Sequence, residues 1–101
     1  MPEAGEGPLS EYRLFETEEF RTRLTRLDDR NAERIRRKLD VFVYPQLRRE
    51  PHFGPNIRRL QGYQPETWRY RIGRFRVFYV IEELEGVVLL VTVDHRKDAY
   101  R

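Results

Sequence analysis

The stretch Trp68 to Ile81, W-R-Y-R-I-G-R-F-R-V-F-Y-V-I, constrains this chain more than any other. Trp68, Tyr70 and Ile72 alternate with Arg69 and Arg71, the period of two that marks a half-buried strand. Glycine at the first central position suits a type II′ turn, so Gly73-Arg74 closes a two-residue hairpin. A turn of that length fixes the register: Ile72 faces Phe75, Arg71 faces Arg76, Tyr70 faces Val77 and Arg69 faces Phe78. One side of the hairpin then presents an apolar series from Trp68 to Ile81, and the other gathers Arg69, Arg71 and Arg76 around Phe78. Opposed like charges destabilise a sheet. The three arginines therefore read as a surface for a polyanion in preference to the solvated face of an antiparallel sheet.

The charge distribution agrees with that reading. Residues 1–29 hold four basic and eight acidic side chains, residues 30–76 thirteen and four, and residues 77–101 three and five. The net charge of +3 thus conceals a strongly basic middle. Eighteen of the twenty basic residues are Arg, which grips phosphate bidentately and stacks on bases. A general bias toward Arg accounts for the helical ones equally well. With 101 residues and 13% aromatics, the chain can form one domain with one modest core. It has no cysteine, which excludes disulfides and thiolate metal sites. No metal-ligand spacing, glycine-rich phosphate loop or paired carboxylates appear, so neither cofactor nor metal is expected. No apolar run approaches membrane-spanning length and M-P-E-A-G-E-G-P lacks a signal pattern, so the expectation is a cytoplasmic protein without a membrane partner.

Residues 1–8 read as a flexible N-terminal segment and residues 9–101 as the folded domain. Glu11 to Phe15 is a short first strand. Thr17 caps a helix with Glu18 and Glu19 in its first turn, and Phe20, Leu24 and Leu27 form its apolar stripe. Asp28 or Asp29 caps a second helix with the stripe Ala32, Ile35, Leu39 and Phe42. Arg34, Arg36, Arg37 and Lys38 read as its solvated face. Pro45 bends or ends it. His52 to Pro65 is a long connection pinned by Ile57 and Leu60, and His52 is given no catalytic role. After the hairpin, Val87 to Asp94 (V-V-L-L-V-T-V-D) is a last strand, apolar on both faces and so covered on both. Two helices cover one face, which leaves part of the other for something else, such as a partner chain. The expected class is α+β, ordered β-α-α-β-β-β: two N-terminal helices on one face of a roughly four-stranded, mainly antiparallel sheet, with the first strand beside the last.

Y-R-L-F at 12–15, N-I-R-R-L at 56–60, W-R-Y-R-I-G-R-F-R-V-F-Y at 68–79 and V-D-H-R-K-D-A-Y at 93–100 together resemble the RelE/ParE superfamily, toxins of type II toxin–antitoxin modules. The resemblance spans residues 9–101. It implies a RelE-like fold and neutralisation by a cognate antitoxin that wraps the toxin. RelE-type members are endoribonucleases that cut mRNA on the ribosome. ParE-type members inhibit DNA gyrase and have no nuclease site. A homologue acting only by binding its antitoxin is a further alternative.

The roles that RelE-type members give to basic strand residues, a later arginine and a C-terminal tyrosine fall on Arg69, Arg71, Arg76, Arg96 and Tyr100. Lysines stand in RelE where this chain has Arg69 and Arg71. Arginine, with a pKa above about 12, holds a phosphate but is a poor base. Metal-free RNA cleavage needs charge stabilisation, a base and an acid. In the nuclease reading Arg71, Arg76 and Arg96 grip the scissile phosphate, Arg69 and Arg74 bind neighbouring phosphates, His95 transfers a proton and Tyr100 stacks or orients the 2′-OH. In the bland reading His95 ends a strand, Tyr100 anchors the C-terminus and Arg96 pairs with Asp94 or Asp98.

Overall fold

The structure, a computed structural model, describes residues 11–95. The segment 1–8, Arg96 and Tyr100 lie outside the described residues. Along the chain run β1 (Arg13–Glu16), α1 (Glu18–Thr25), α2 (Asp29–Lys38), a π turn (Leu39–Val43), α3 (Tyr44–Arg49), β2 (Ile57–Arg59), β3 (Trp68–Ile72), β4 (Phe75–Glu82) and β5 (Val87–His95). The strands make one five-stranded sheet in the order β1-β5-β4-β3-β2. Only β1, beside β5, is parallel to its neighbour. The expected α+β class and the β1–β5 adjacency both stand; the sheet has five strands where about four were expected. The added strand is β2, inside the stretch read as a connection. Ile57 does pin it, packing against the core opposite Tyr70.

The helices cover one face. Thr17 accepts from the Phe20 backbone N–H, Asp28 from that of Asn31, and each thereby satisfies a donor that a helix start leaves open. Phe20, Leu24, Ile35, Leu39, Val43 and Leu47 pack on Tyr70, Val77, Tyr79, Val88 and Leu90. The stripe expected at Phe42 falls instead on Val43: Val43 is 1% exposed and Phe42 62%. The spacing Ile35, Leu39, Val43, Leu47 is four residues per step, which drifts around a 3.6-residue helix. The wider π turn absorbs the drift, keeps Val43 and Leu47 inward and swings Phe42 out. The chain passes Pro45, near the start of α3, without a break.

Among the described residues, the hydroxyls of the buried tyrosines are all used. Tyr79 donates to Pro51 O (2.7 Å), Tyr70 to Gln46 Oε1 (2.6 Å) and Tyr44 to Glu16 Oε2 (2.6 Å), so each ring is buried without an orphaned hydroxyl. Glu16 also accepts from Arg36 at 2.7 and 3.3 Å. Burial opposes the Glu16 charge, yet these bonds hold its carboxyl below the usual range. Arg36 therefore leaves the solvated set and ties α2 to β1.

A β-bulge explains the missing alternation in V-V-L-L-V-T-V-D. Phe78 pairs with Thr92 while Tyr79 pairs with Leu90, which leaves Val91 extra. The phase shifts there, so Val88, Leu90 and Val93 all reach the core. The Thr17 hydroxyl donates to the carbonyl of Val91 at 2.9 Å, and the Thr17 N–H to that of Leu90 at 3.0 Å. One cap residue thus fastens α1 to the bulge.

Candidate functional site

The hairpin register is as the two-residue turn dictates: Arg71 opposes Arg76, Arg69 opposes Phe78 and Ile72 opposes Phe75. Gly73 has φ +58° and Arg74 is not left-handed, as a type II′ turn requires. Trp68, Tyr70, Ile72, Phe75, Val77 and Tyr79 turn toward the helices, so the arginines occupy the open face of the sheet.

The neighbouring strands extend the hairpin into two rows. Asp94 opposes Arg76, giving Arg71–Arg76–Asp94 across β3, β4 and β5. Arg58 opposes Arg69, giving Arg58–Arg69–Phe78–Thr92 across four strands. Each row holds a directly opposed arginine pair. Arg71 and Arg58 are exposed, whereas Arg69 and Arg76 are half-buried. The Asp94 carboxylate is paired with Arg23 of α1. Along the open face, the apolar side chains Val80, Leu89 and Phe15 continue from Phe78 away from the rows, with Phe15 50% exposed.

The expected site residues separate into groups. Arg69, Arg71 and Arg76 come together. Arg74 stands exposed at the turn, beside a groove that also receives Arg34 and Lys38. His95 opposes Phe75, its ring edge-on at a centroid distance of 4.9 Å, so it faces the helix side of the sheet and not the side of Arg76. It lines a cleft there with Arg23, Arg26, Leu27 and Asp94. Arg96 and Tyr100 lie outside the described residues. Sequence reasoning missed two members of the rows. Arg58 sits on a three-residue strand hidden between Gly-Pro and Gly-Tyr-Gln-Pro. Asp94 is placed by the β4–β5 register, which the bulge shifts and which no two-residue turn fixes.

His52 sits at the far end of the sheet, near the β4–β5 turn. Its Nδ1 lies 2.7 Å from Glu50 Oε2 and its Nε2 2.5 Å from Glu83 Oε2, while Tyr12 donates to Glu83 at 2.9 Å. The ring meets Trp68 edge-on at 5.4 Å. Burial works against its protonation, but the bonds to Glu83 and Glu50 prevail and raise its pKa, while that of Glu83 is lowered chiefly by His52. Among the described residues, no cluster of His, Cys, Asp and Glu fits a metal ion, and no helix is long and apolar enough to cross a membrane.

Residues 14–100 match the family described as "ParE toxin of type II toxin-antitoxin system, parDE". The chain belongs to that family, within the RelE/ParE superfamily. No curated protein sequence matches the toxin significantly. Among solved structures, the RelBE2 toxin–antitoxin complex of Mycobacterium tuberculosis contains a chain 26% identical, with a TM-score of 0.66 over 85% of the toxin and 99% of that chain. The RelB–RelE complex of Methanococcus jannaschii aligns at 17% identity and a TM-score of 0.63, covering 85% and 94% of the two chains. The E. coli RelBE complex aligns at 20% and 0.61, covering 83% and 95%. At these lower identities the likeness establishes the fold alone.

Proposed function

We propose that the toxin acts on RNA, as a metal-independent endoribonuclease cutting mRNA on the ribosome, and that a cognate antitoxin neutralises it. The observation that carries the RNA reading is the pair of arginine rows, which gather Arg58, Arg69, Arg71 and Arg76 on the open sheet face, a set suited to a phosphate backbone. In this reading the 2′-OH attacks its own 3′ phosphorus and the 5′ oxygen leaves, giving a cyclic phosphate and a 5′-OH. Arg71 and Arg76 hold the phosphoryl oxygens as charge builds on them. Arg69 and Arg58 hold the adjoining phosphate. Arginine cannot accept the 2′-OH proton and His95 faces the other way. Among the described residues the rows supply charge stabilisation and not the base, because the Asp94 carboxylate is held by Arg23 of α1. Arg96 and Tyr100 remain proposed participants through the resemblance alone. The antitoxin partner is proposed because the relatives above are toxin–antitoxin complexes, and the apolar Phe15–Phe78–Val80–Leu89 surface suits a protein partner.

A second reading, inhibition of DNA gyrase, is favoured by the family description itself, ParE toxin. One experiment separates the two. Purified toxin is incubated with mRNA-programmed ribosomes, and in parallel with gyrase and relaxed plasmid. The expected result is mRNA cut on ribosomes by the wild type and left intact by Arg76→Ala, with supercoiling unaffected. Intact mRNA together with blocked supercoiling overturns the nuclease reading.

A further inference from the structure

A second basic surface lies on the helix side of the molecule, around the hairpin turn. Two adjoining cavities of about 200 and 320 Å3 share Lys38, Ile72 and Gly73 and form one groove between α2 with its π turn and the β3–β4 turn. Arg34, Lys38, Arg71 and Arg74 stand around it, and among the described residues no carboxylate lines either cavity. None of these four cations forms a salt bridge with a described residue, whereas Arg21, Arg23, Arg36 and Arg59 all do. Arg34 donates to the side-chain oxygen of Asn31, at 3.2 Å. The groove is not wholly polar, because Ile35, Val43 and Ile72 contribute to its walls. Phe42, swung outward by the π turn, borders one end with its side chain largely in solvent. Arg71 lines this groove and also stands in the Arg71–Arg76 row, so the two surfaces adjoin at that residue.

We infer that this groove binds a single-stranded nucleic-acid segment, its phosphates between Arg34, Lys38, Arg74 and Arg71 and one unpaired base on Phe42. Four cations with no carboxylate among them call for a polyanion. The exposed ring at the end of the groove selects a strand whose bases are free to stack, which a duplex does not offer. Arg71, shared by both surfaces, makes the groove and the arginine rows one continuous path along a strand. The inference goes beyond cleavage, since the groove can hold a strand whether or not the sheet face cuts it.

The test uses the full chain and a fluorescein-labelled twelve-nucleotide oligoribonucleotide, its deoxyribose equivalent and the duplex of the same sequence, with affinity read by anisotropy over a salt series. Phe42→Ala should weaken single-strand binding by at least about fivefold, with the salt slope unchanged and duplex affinity unaffected. Arg34→Ala/Lys38→Ala should reduce the salt slope by about 1.4, close to 0.7 for each phosphate no longer neutralised. Both changes lie on the surface, and thermal melts of the variants confirm their fold. The ribose and deoxyribose arms tell which backbone is preferred, and tighter single-strand binding in either supports the groove. Single-strand affinity within twofold of wild type in both variants overturns the inference, as does an equal effect of Phe42→Ala on duplex. The same preparations are assayed for mRNA cleavage. Groove-dependent binding without cleavage refutes the nuclease reading and leaves the groove standing.

Discussion

His52 shows how much one side chain can organise when two carboxylates meet it. Its ring bridges Glu50, at the end of α3, and Glu83, in the β4–β5 turn, and through Glu83 reaches Tyr12 ahead of β1. Its pKa is raised in the folded state, so the stabilisation is complete below the unfolded value of about 6.5 and is lost as pH rises through the raised one. Glu83 works in the opposite sense. Its pKa is lowered, and its contribution is lost only as pH falls through that lowered value. The bridge is therefore strongest in mildly acidic solution. His52→Gln should be less stable than wild type at pH 6, and the difference should narrow as pH rises into the alkaline range. The difference at pH 6 should not exceed about 1 kcal/mol, because both carboxylates are about half-exposed and screened. Urea unfolding at stepped pH measures it, and parallel curves for the two proteins would remove His52 as the cause. Sequence reasoning left His52 in a loop between Pro51 and Phe53 because neither glutamate is its neighbour on a predicted element. Only the folded chain brings Glu83, thirty-one positions away, to its ring.

Among the elements, α1 depends on Thr17 more than its eight residues suggest. The hydroxyl both caps the helix and donates to Val91, the extra residue of the bulge. Thr17→Ala removes both bonds and should cost about 1–2 kcal/mol, whereas Thr17→Ser keeps the hydroxyl and should recover most of it. Chemical denaturation of the two variants decides, and equal losses would mean that the methyl group matters and the hydroxyl does not. The cap itself was legible from Thr17 followed by Glu18 and Glu19, because N-terminal capping is local chemistry. The bulge was not. It appears in sequence only as an apolar run without alternation, which a doubly covered strand produces as well. The π turn escaped for a related reason. A helical stripe through Ala32, Ile35 and Leu39 points equally to Phe42 or Val43, and packing against the sheet selects Val43. Strand β2 is three residues long and gains its pairing only from β3.

Across the whole molecule, charge and function are traded against stability. Much of the basic middle of the sequence folds into the hairpin, β2 and α2, so Arg58, Arg69, Arg71, Arg74 and Arg76 gather on neighbouring strands and their turn. That segregation was legible in part, because a two-residue turn sets the Arg71–Arg76 register without tertiary information. Asp94 beside that pair and Arg58 beside Arg69 were not, since both arrive through long-range pairing. Arg71 is exposed and directly opposes Arg76, so an anionic ligand on Arg71 lowers the repulsion between the two. Arg71→Thr tests this directly. Threonine suits a strand, and the change removes one side of the Arg71–Arg76 opposition and one cation of the groove. Free Arg71→Thr should be more stable than wild type by about 0.2–1 kcal/mol. It should also bind a single-stranded oligonucleotide more weakly, with a salt slope smaller by about 0.7. Saturating oligonucleotide should then reverse the order of stability, because ligand at 100 times its Kd adds about 2.7 kcal/mol to wild type and the weaker-binding variant gains less at the same concentration. Thermal melts with and without the oligonucleotide measure both quantities. A variant less stable than wild type in the free state would show that the arginine pair supports the sheet, and that the site was not built at the sheet's expense.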